Sequence, residues 1–383
     1  MNTASAGRMV SLDILRGLAV AGMLIVNSPG SWSYIYPPLD HAPWNGWTPT
    51  DLVFPTFLFC VGAASALALA KPKPGEKLRI ARRALTLILL GLFLQTLPNF
   101  DFAHLRFPGV LQRIGVCYAL GAYAFLLTAR RGEDGARQVS IPLIGGLIAV
   151  CLIGYWALLT FVPVPGFGAG HLDSWQSLPA YIDRQIFSLD HMWIYGTTEG
   201  RGVTYDPEGL LSTIPALTNV LFGMIAARLA QRSTSGGNWM TVAAFGIVLI
   251  ALGLLLDPIF PLNKRIWTSS FALFTSGIAA TLLGLLIPVS RIAAVVTAAY
   301  PFRVLGSNAI LAYVISWLME IGAAFPLFPS SKGPIGLQQW TFEHVQAIVI
   351  NPYNASLICA LLVLAFITAL LIPLNRRGIY LRL

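Results

Sequence analysis

One stretch gathers side chains able to do acid–base chemistry: His41-Ala-Pro-Trp-Asn-Gly-Trp-Thr-Pro-Thr-Asp51, with Asn27 upstream. A neutral imidazole, ordinarily titrating at about 6.5, can act near pH 7 as a general base or as an acyl-accepting nucleophile. Asp51 is placed to orient that ring, and Asn27 to donate to a developing oxyanion. Each residue also has a plainer role. His41 suits an interfacial hydrogen bond, Asp51 behind Thr48 and Thr50 an ordinary helix start, and Asn27 a helix stop before Ser28-Pro29-Gly30. Trp44 and Asn45 are candidates for binding a sugar, although Trp32, Trp44 and Trp47 equally fit an interfacial aromatic belt.

A second group, Tyr205-Asp-Pro-Glu-Gly209, brings Asp206 and Glu208 to the start of an apolar run. They read as helix-start carboxylates, or as a seat for a cationic amino group on a substrate. Arg113 falls inside an apolar segment, where an unpaired charge is expensive. It calls for Asp51 or Glu208 as a partner, or for an anionic ligand. Arg16, Arg82, Arg83, Arg303 and Asn308 form a candidate phosphate-binding rim, and Asp13 and Arg16 are spaced to pair on one helix face. His104, His171, His191 and His344 carry no metal-binding spacing. Cys60, Cys117, Cys151 and Cys359 sit in apolar runs as packed free thiols, so neither a metal nor a disulfide framework is expected.

The elements that hold these residues are set by composition. Of 383 residues 56% are hydrophobic and 11% charged, and the mean hydropathy is +0.70. That is an integral membrane protein. Apolar windows near the ~20 residues of a spanning helix fall at about 11–27, 51–70, 83–98, 108–128, 139–161, 209–230, 239–256, 267–288, 302–323 and 355–374. An all-α, polytopic fold with about ten transmembrane helices follows. Arg8 before the first run resembles a signal-peptide start, but Asp13 and Arg16 interrupt it, so a retained first helix is expected.

Most of the 25 lysines and arginines lie on the side of the N-terminus, including Arg8, Lys71 to Arg83, Arg130 to Arg137, Arg228, Arg232 and Arg376 to Arg382. Arg106, Arg113, Arg184, Arg201, Lys264, Arg265 and Lys332 lie on the other. Both termini are therefore expected in the cytoplasm. The net charge of +9 is topological, and nucleic acid is not expected as a partner. Outer loops are expected at 28–50, 99–107, 162–208, 257–266 and 324–354. The longest would be periplasmic and functional, within a single domain over 1–383.

Several patches in order resemble the transmembrane acyltransferases related to lysosomal heparan-α-glucosaminide N-acetyltransferase and its bacterial homologues. They are Ser11-Leu-Asp-Ile-Leu-Arg-Gly17 leading to Asn27, the His41 stretch with Asp51-Leu-Val-Phe-Pro-Thr-Phe-Leu-Phe59, and Arg106-Phe-Pro-Gly-Val-Leu-Gln-Arg-Ile-Gly115. Tyr205-Asp-Pro-Glu-Gly209, Trp267-Thr-Ser-Ser-Phe-Ala-Leu-Phe-Thr-Ser-Gly277 and Pro301-Phe-Arg-Val-Leu-Gly-Ser-Asn-Ala309 continue the series. The resemblance implies an enzyme that takes acetyl-CoA from the cytoplasm and acetylates an amino sugar across the membrane. It places the active histidine on His41, its asparagine and aspartate on Asn27 and Asp51, and favours a homodimer. The Asn27 to His41 segment is a few residues longer than in the lysosomal enzyme, whose luminal N-terminal domain has no counterpart. That suggests a bacterial inner-membrane protein whose acceptor need not be heparan sulfate.

The expected function is acetyl transfer from acetyl-CoA to an amino sugar or oligosaccharide. Coenzyme A would stay at the inner rim while its pantetheine arm threads toward His41. A transporter or flippase for a sugar or lipid-linked sugar, without acyl transfer, is the alternative, and an envelope-assembly scaffold a third reading.

Overall fold

The apolar windows fold into helices whose exposed faces suit lipid and whose small residues allow close contact. A computed structural model of the protein describes residues 9–132, 135–231, 238–330 and 333–381. Arg8, Arg232, Lys332 and Arg382, which enter the charge asymmetry above, lie outside them.

In chain order come α1 (Val10–Asn27), α2 (Val53–Leu69), α3 (Glu76–Thr96), α4 (Val110–Thr128) and α5 (Ile141–Phe161). They are followed by α6 (Leu178–Phe187), α7 (Thr213–Gln231), α8 (Trp239–Leu256), α9 (Ser269–Val289) and α10 (Ala293–Ala298). The last are α11 (Tyr300–Ser307), α12 (Ala309–Ala324), α13 (Leu337–Ile348) and α14 (Pro352–Arg376). Strand is confined, among the described residues, to two hairpins with two-residue arms. The protein is a mostly helical, polytopic membrane protein.

Among the described residues, eight helices are long and apolar enough to cross a membrane: α1, α2 with its 3-10 lead from Pro49, α4, α5, α7, α8, α9 and α14. The expected spans at 83–98 and 302–323 take different forms. α3 begins earlier, and Glu76, Lys77, Arg79, Arg82 and Arg83 make its first turns strongly charged. The 302–323 window is two helices, α11 and α12, meeting at 85°. Apolarity alone hides that break, because Gly306-Ser307-Asn308 costs a hydropathy window little while offering weak helix formers in succession. The long loops expected at 162–208 and 324–354 are partly helical, carrying α6 and α13.

α7 and α9 are largely buried, whereas α5, α8 and α14 each leave most of their apolar surface uncovered, as lipid-facing helices do. α2 packs on α7 through Gly62 and Gly223. A Cβ on Gly62 would come within 1.8 Å of the Val220 carbonyl oxygen, so the two backbones touch. Where α7, α9 and the 257–268 loop meet, the Trp267 indole donates to Asn219 Oδ1 at 3.0 Å. The Asn219 amide in turn donates to Ser276 Oγ at 2.8 Å. Every group of this network is buried, and in a medium without water its satisfied bonds fix one arrangement.

Candidate active site

The cap and the orienting roles of Asp51 coexist, one carboxylate oxygen serving each. Oδ2 accepts from Ala42 N at 3.1 Å, Thr48 N at 3.0 Å and Thr48 Oγ1 at 3.2 Å, which fixes the turn entering α2. Oδ1 accepts from His41 Nδ1 at 2.7 Å. With Nδ1 donating, the lone pair falls on Nε2. Asp51 is 1% exposed, while the His41 side chain keeps 33% of its surface. Burial, and then the charge of Lys264, hold the imidazole below its ordinary 6.5 against the pull of Asp51. The ring is neutral at pH 7. Asn27 is the last residue of α1.

Lys264 comes from the loop between α8 and α9, 223 residues after His41, and gained no role from the sequence. Its Nζ lies 3.1 Å from both His41 Nδ1 and Nε2, and 3.8 Å from Asp51 Oδ1. An equal distance to both ring nitrogens takes the ammonium off either in-plane lone-pair direction. It therefore acts on the ring mainly by charge. Burial, only partly offset by Asp51, brings its pKa down to about 8. The loop is pinned to the histidine loop where Asn263 Nδ2 donates to Asn45 Oδ1 at 3.0 Å and Gly46 N to Leu262 O at 2.7 Å. Trp267, anchored as above, holds it from behind.

Asp206 and Glu208 are taken up by Arg106, whose Nε donates to Asp206 Oδ2 at 2.8 Å and whose Nη2 donates to Glu208 Oε2 at 2.6 Å. Asp206 also accepts from Trp193 N and Glu208 N, each at 2.9 Å. Both carboxylates are buried partners of a guanidinium, so their geometry does not favour the expected capture of a substrate ammonium. α7 itself starts later, at Thr213. Arg113 meets neither Asp51 nor Glu208. Its Nη2 donates to Gly209 O and Ser212 Oγ, and its guanidinium lies 5.1 Å from the Trp267 ring centroid. Trp44 donates to Leu172 O at 2.9 Å and packs edge-on against Tyr205, joining two long loops.

A cavity of about 290 Å³ is lined both by His41 with Lys264 and by Arg83 of α3. At one end stand Asn27, His41, Trp193, Glu208, Lys264 and Arg265; at the other, Arg83 and Tyr118. Its lining on α2 runs from Val53 to Val61, and on α4 from Val110 to Tyr118. Each is about 12 Å at the ~1.5 Å rise of a helix. Of the expected rim, Arg83 lines the cavity and places its guanidinium 4.7 Å from the Tyr118 ring centroid. Arg82 is exposed, and Arg16 donates to Asp13 Oδ1 at 3.0 Å and to Gly306 O. Arg303 lies within α11, and Asn308 sits at the α11–α12 break, directly before the cavity residues Ala309 and Ile310. Arg303 Nε and Asn308 Oδ1 are buried without a protein partner.

Residues 8–256 match the family described as heparan-alpha-glucosaminide N-acetyltransferase, catalytic. The chain belongs to this family. Human heparan-alpha-glucosaminide N-acetyltransferase is 31% identical over 351 residues, a match covering 80% of this chain and 52% of the human protein. The mouse protein of the same name is 29% identical over 360 residues, covering 82% and 54%. This chain thus spans about half the length of the curated relatives it matches. The N-acetyltransferase family match takes in α1 to α8 with His41, Asp51, Arg106 and Glu208, while Lys264 lies beyond the matched residues.

Proposed function

We propose that this chain is a single-domain membrane acetyltransferase of the bacterial inner membrane. It moves the acetyl group of cytoplasmic acetyl-CoA to an amino sugar or oligosaccharide on the periplasmic side. The observation that carries the reading is the cavity reaching from Arg83, among the basic residues, to a neutral His41 held by Asp51. A charged adenosine phosphate crosses hydrocarbon only at great cost. Its counterions would be Arg83, Arg82, Arg303 and Arg16. The unpartnered Arg303 Nε and Asn308 Oδ1 suit a polar ligand at the same end. The largely apolar cavity suits a pantetheine arm.

In this scheme His41 Nε2 takes a proton from the acceptor amine as the nitrogen attacks the thioester carbonyl carbon. The new C–N bond forms, the C–S bond breaks, and Asn27 donates to the carbonyl oxygen. Asp51 keeps Nδ1 protonated, and so keeps the lone pair on Nε2.

The test uses the purified chain in nanodiscs with acetyl-CoA and glucosamine, following free CoA thiol and N-acetylglucosamine together. Both should appear in equal amounts, and His41→Ala should lower the rate by the ~10²–10⁴-fold typical of losing a general base. Glucosamine uptake into proteoliposomes that survives His41→Ala, with no acetyl transfer to any acceptor, would instead establish transport.

A further inference from the structure

The acetyl transfer proposed above leaves one proton unassigned. The acceptor amine loses a proton to His41, whereas the departing CoA sulfur leaves as a thiolate. We infer that Lys264, whose ammonium lies 3.1 Å from both imidazole nitrogens and lines the same cavity, supplies the thiolate's proton and is recharged by His41. The inference rests on the acetyltransferase reading and adds to it a second catalytic residue.

The step balances. As the C–S bond breaks, an Nζ proton passes to sulfur and CoA leaves as the thiol. Lys264 is then a neutral amine beside an imidazolium that holds the acceptor's proton. With the products gone, Nζ swings into the imidazole plane and takes the proton from Nε2, which restores both residues, and the sum is amine plus thioester giving amide plus thiol.

Three features suit Lys264 to this work. The lysine pKa of about 8 lies close to the ~8.5 of an ordinary thiol, so the ammonium and the thiolate exchange a proton with little change in free energy. Its displacement from the imidazole lone pairs leaves Nε2 open to the acceptor. The groups facing it are His41 and Asp51 from the first outer loop and α2 lead, Arg265 next in the chain, and Glu208 across the cavity. Of these, the guanidinium does not give up a proton and the two carboxylates are acceptors. Tyr313 on α12 also lines the cavity and is the rival acid.

Leaving-group rescue decides between them. Full-length protein in nanodiscs is given glucosamine with either acetyl-CoA or the acetyl thioester of 4-nitrothiophenol, whose thiolate departs without a proton. Lys264→Gln and Lys264→Arg should lose roughly 10²-fold in kcat with acetyl-CoA, yet stay near wild type with the nitrothiophenyl ester. Lys264→Arg keeps the charge and, checked by thermal melting, the fold. Equal losses with both thioesters, or the same rescue pattern in Tyr313→Phe, would overturn the assignment while leaving the acetyltransferase reading standing. A wild-type protein that transfers acetyl from neither thioester to any amine overturns that reading and this one together.

Discussion

Replacing Asp51 by asparagine separates what the carboxylate does for the fold from what it does for His41. The two oxygens have unequal claims: Oδ2 serves two backbone N–H groups and one hydroxyl, Oδ1 the imidazole. An asparagine oxygen can take only one place. Left at Oδ1, it would set its NH2 against the Ala42 and Thr48 amides, two buried donors at ~1–3 kcal/mol each if unsatisfied. The amide therefore turns its oxygen to the loop and its NH2 to His41 Nδ1. That forces the proton onto Nε2 and removes the lone pair from the reacting side. The same substitution in a serine-protease triad costs about 10⁴ in kcat for this reason, or about 5 kcal/mol at ~1.36 kcal/mol per tenfold. Stability should fall by only ~1 kcal/mol, since most of the bonds survive. Acetyl transfer measured beside thermal melting in one detergent tests both. An Asp51→Asn protein that melts like wild type and turns over within a few-fold of it would refute the tautomer reasoning.

Two further outcomes concern Arg106 and Asp183. Arg106→Ala strands the buried Asp206 and Glu208, and should cost ~3–5 kcal/mol, read as a large fall in melting temperature. Burial pushes the Asp183 carboxyl, on α6, up to about 7, although it accepts from Leu210 N at 2.9 Å. A raised carboxyl favours the fold below its ordinary pKa of about 3.8. That contribution is lost as the pH rises toward 7, so Asp183→Asn should flatten the melting temperature across this window and raise it at pH 8.

The helical membrane architecture was legible because apolar runs of spanning length have few other uses, and the pairing of His41 with Asp51 because a helix start fixes where its first carboxylate lies. Lys264 was illegible: 223 residues separate it from His41, and Pro261-Leu-Asn-Lys-Arg265 reads as a plain loop. The available signal was its charge, since two adjacent cations stand there against the bias of the loops. Arg106 was quoted within a motif but given no task, because bidentate pairing with Asp206 depends on how two loops close. Arg113 was recognised as costly to bury, but its partners are a backbone carbonyl and a hydroxyl, which no count of opposite charges can suggest.

The middle of the cavity is walled by Met23, Phe57, Leu87, Ile114 and Ile310, side chains that offer water almost nothing to bind. An apolar lining of that kind resists wetting. A membrane protein with such a lining can bind a ligand deep in its bundle and still hold the proton and ion gradients across it. The insulation is strongest when an apolar ligand arm fills the cavity, so occupancy and electrical tightness would rise together.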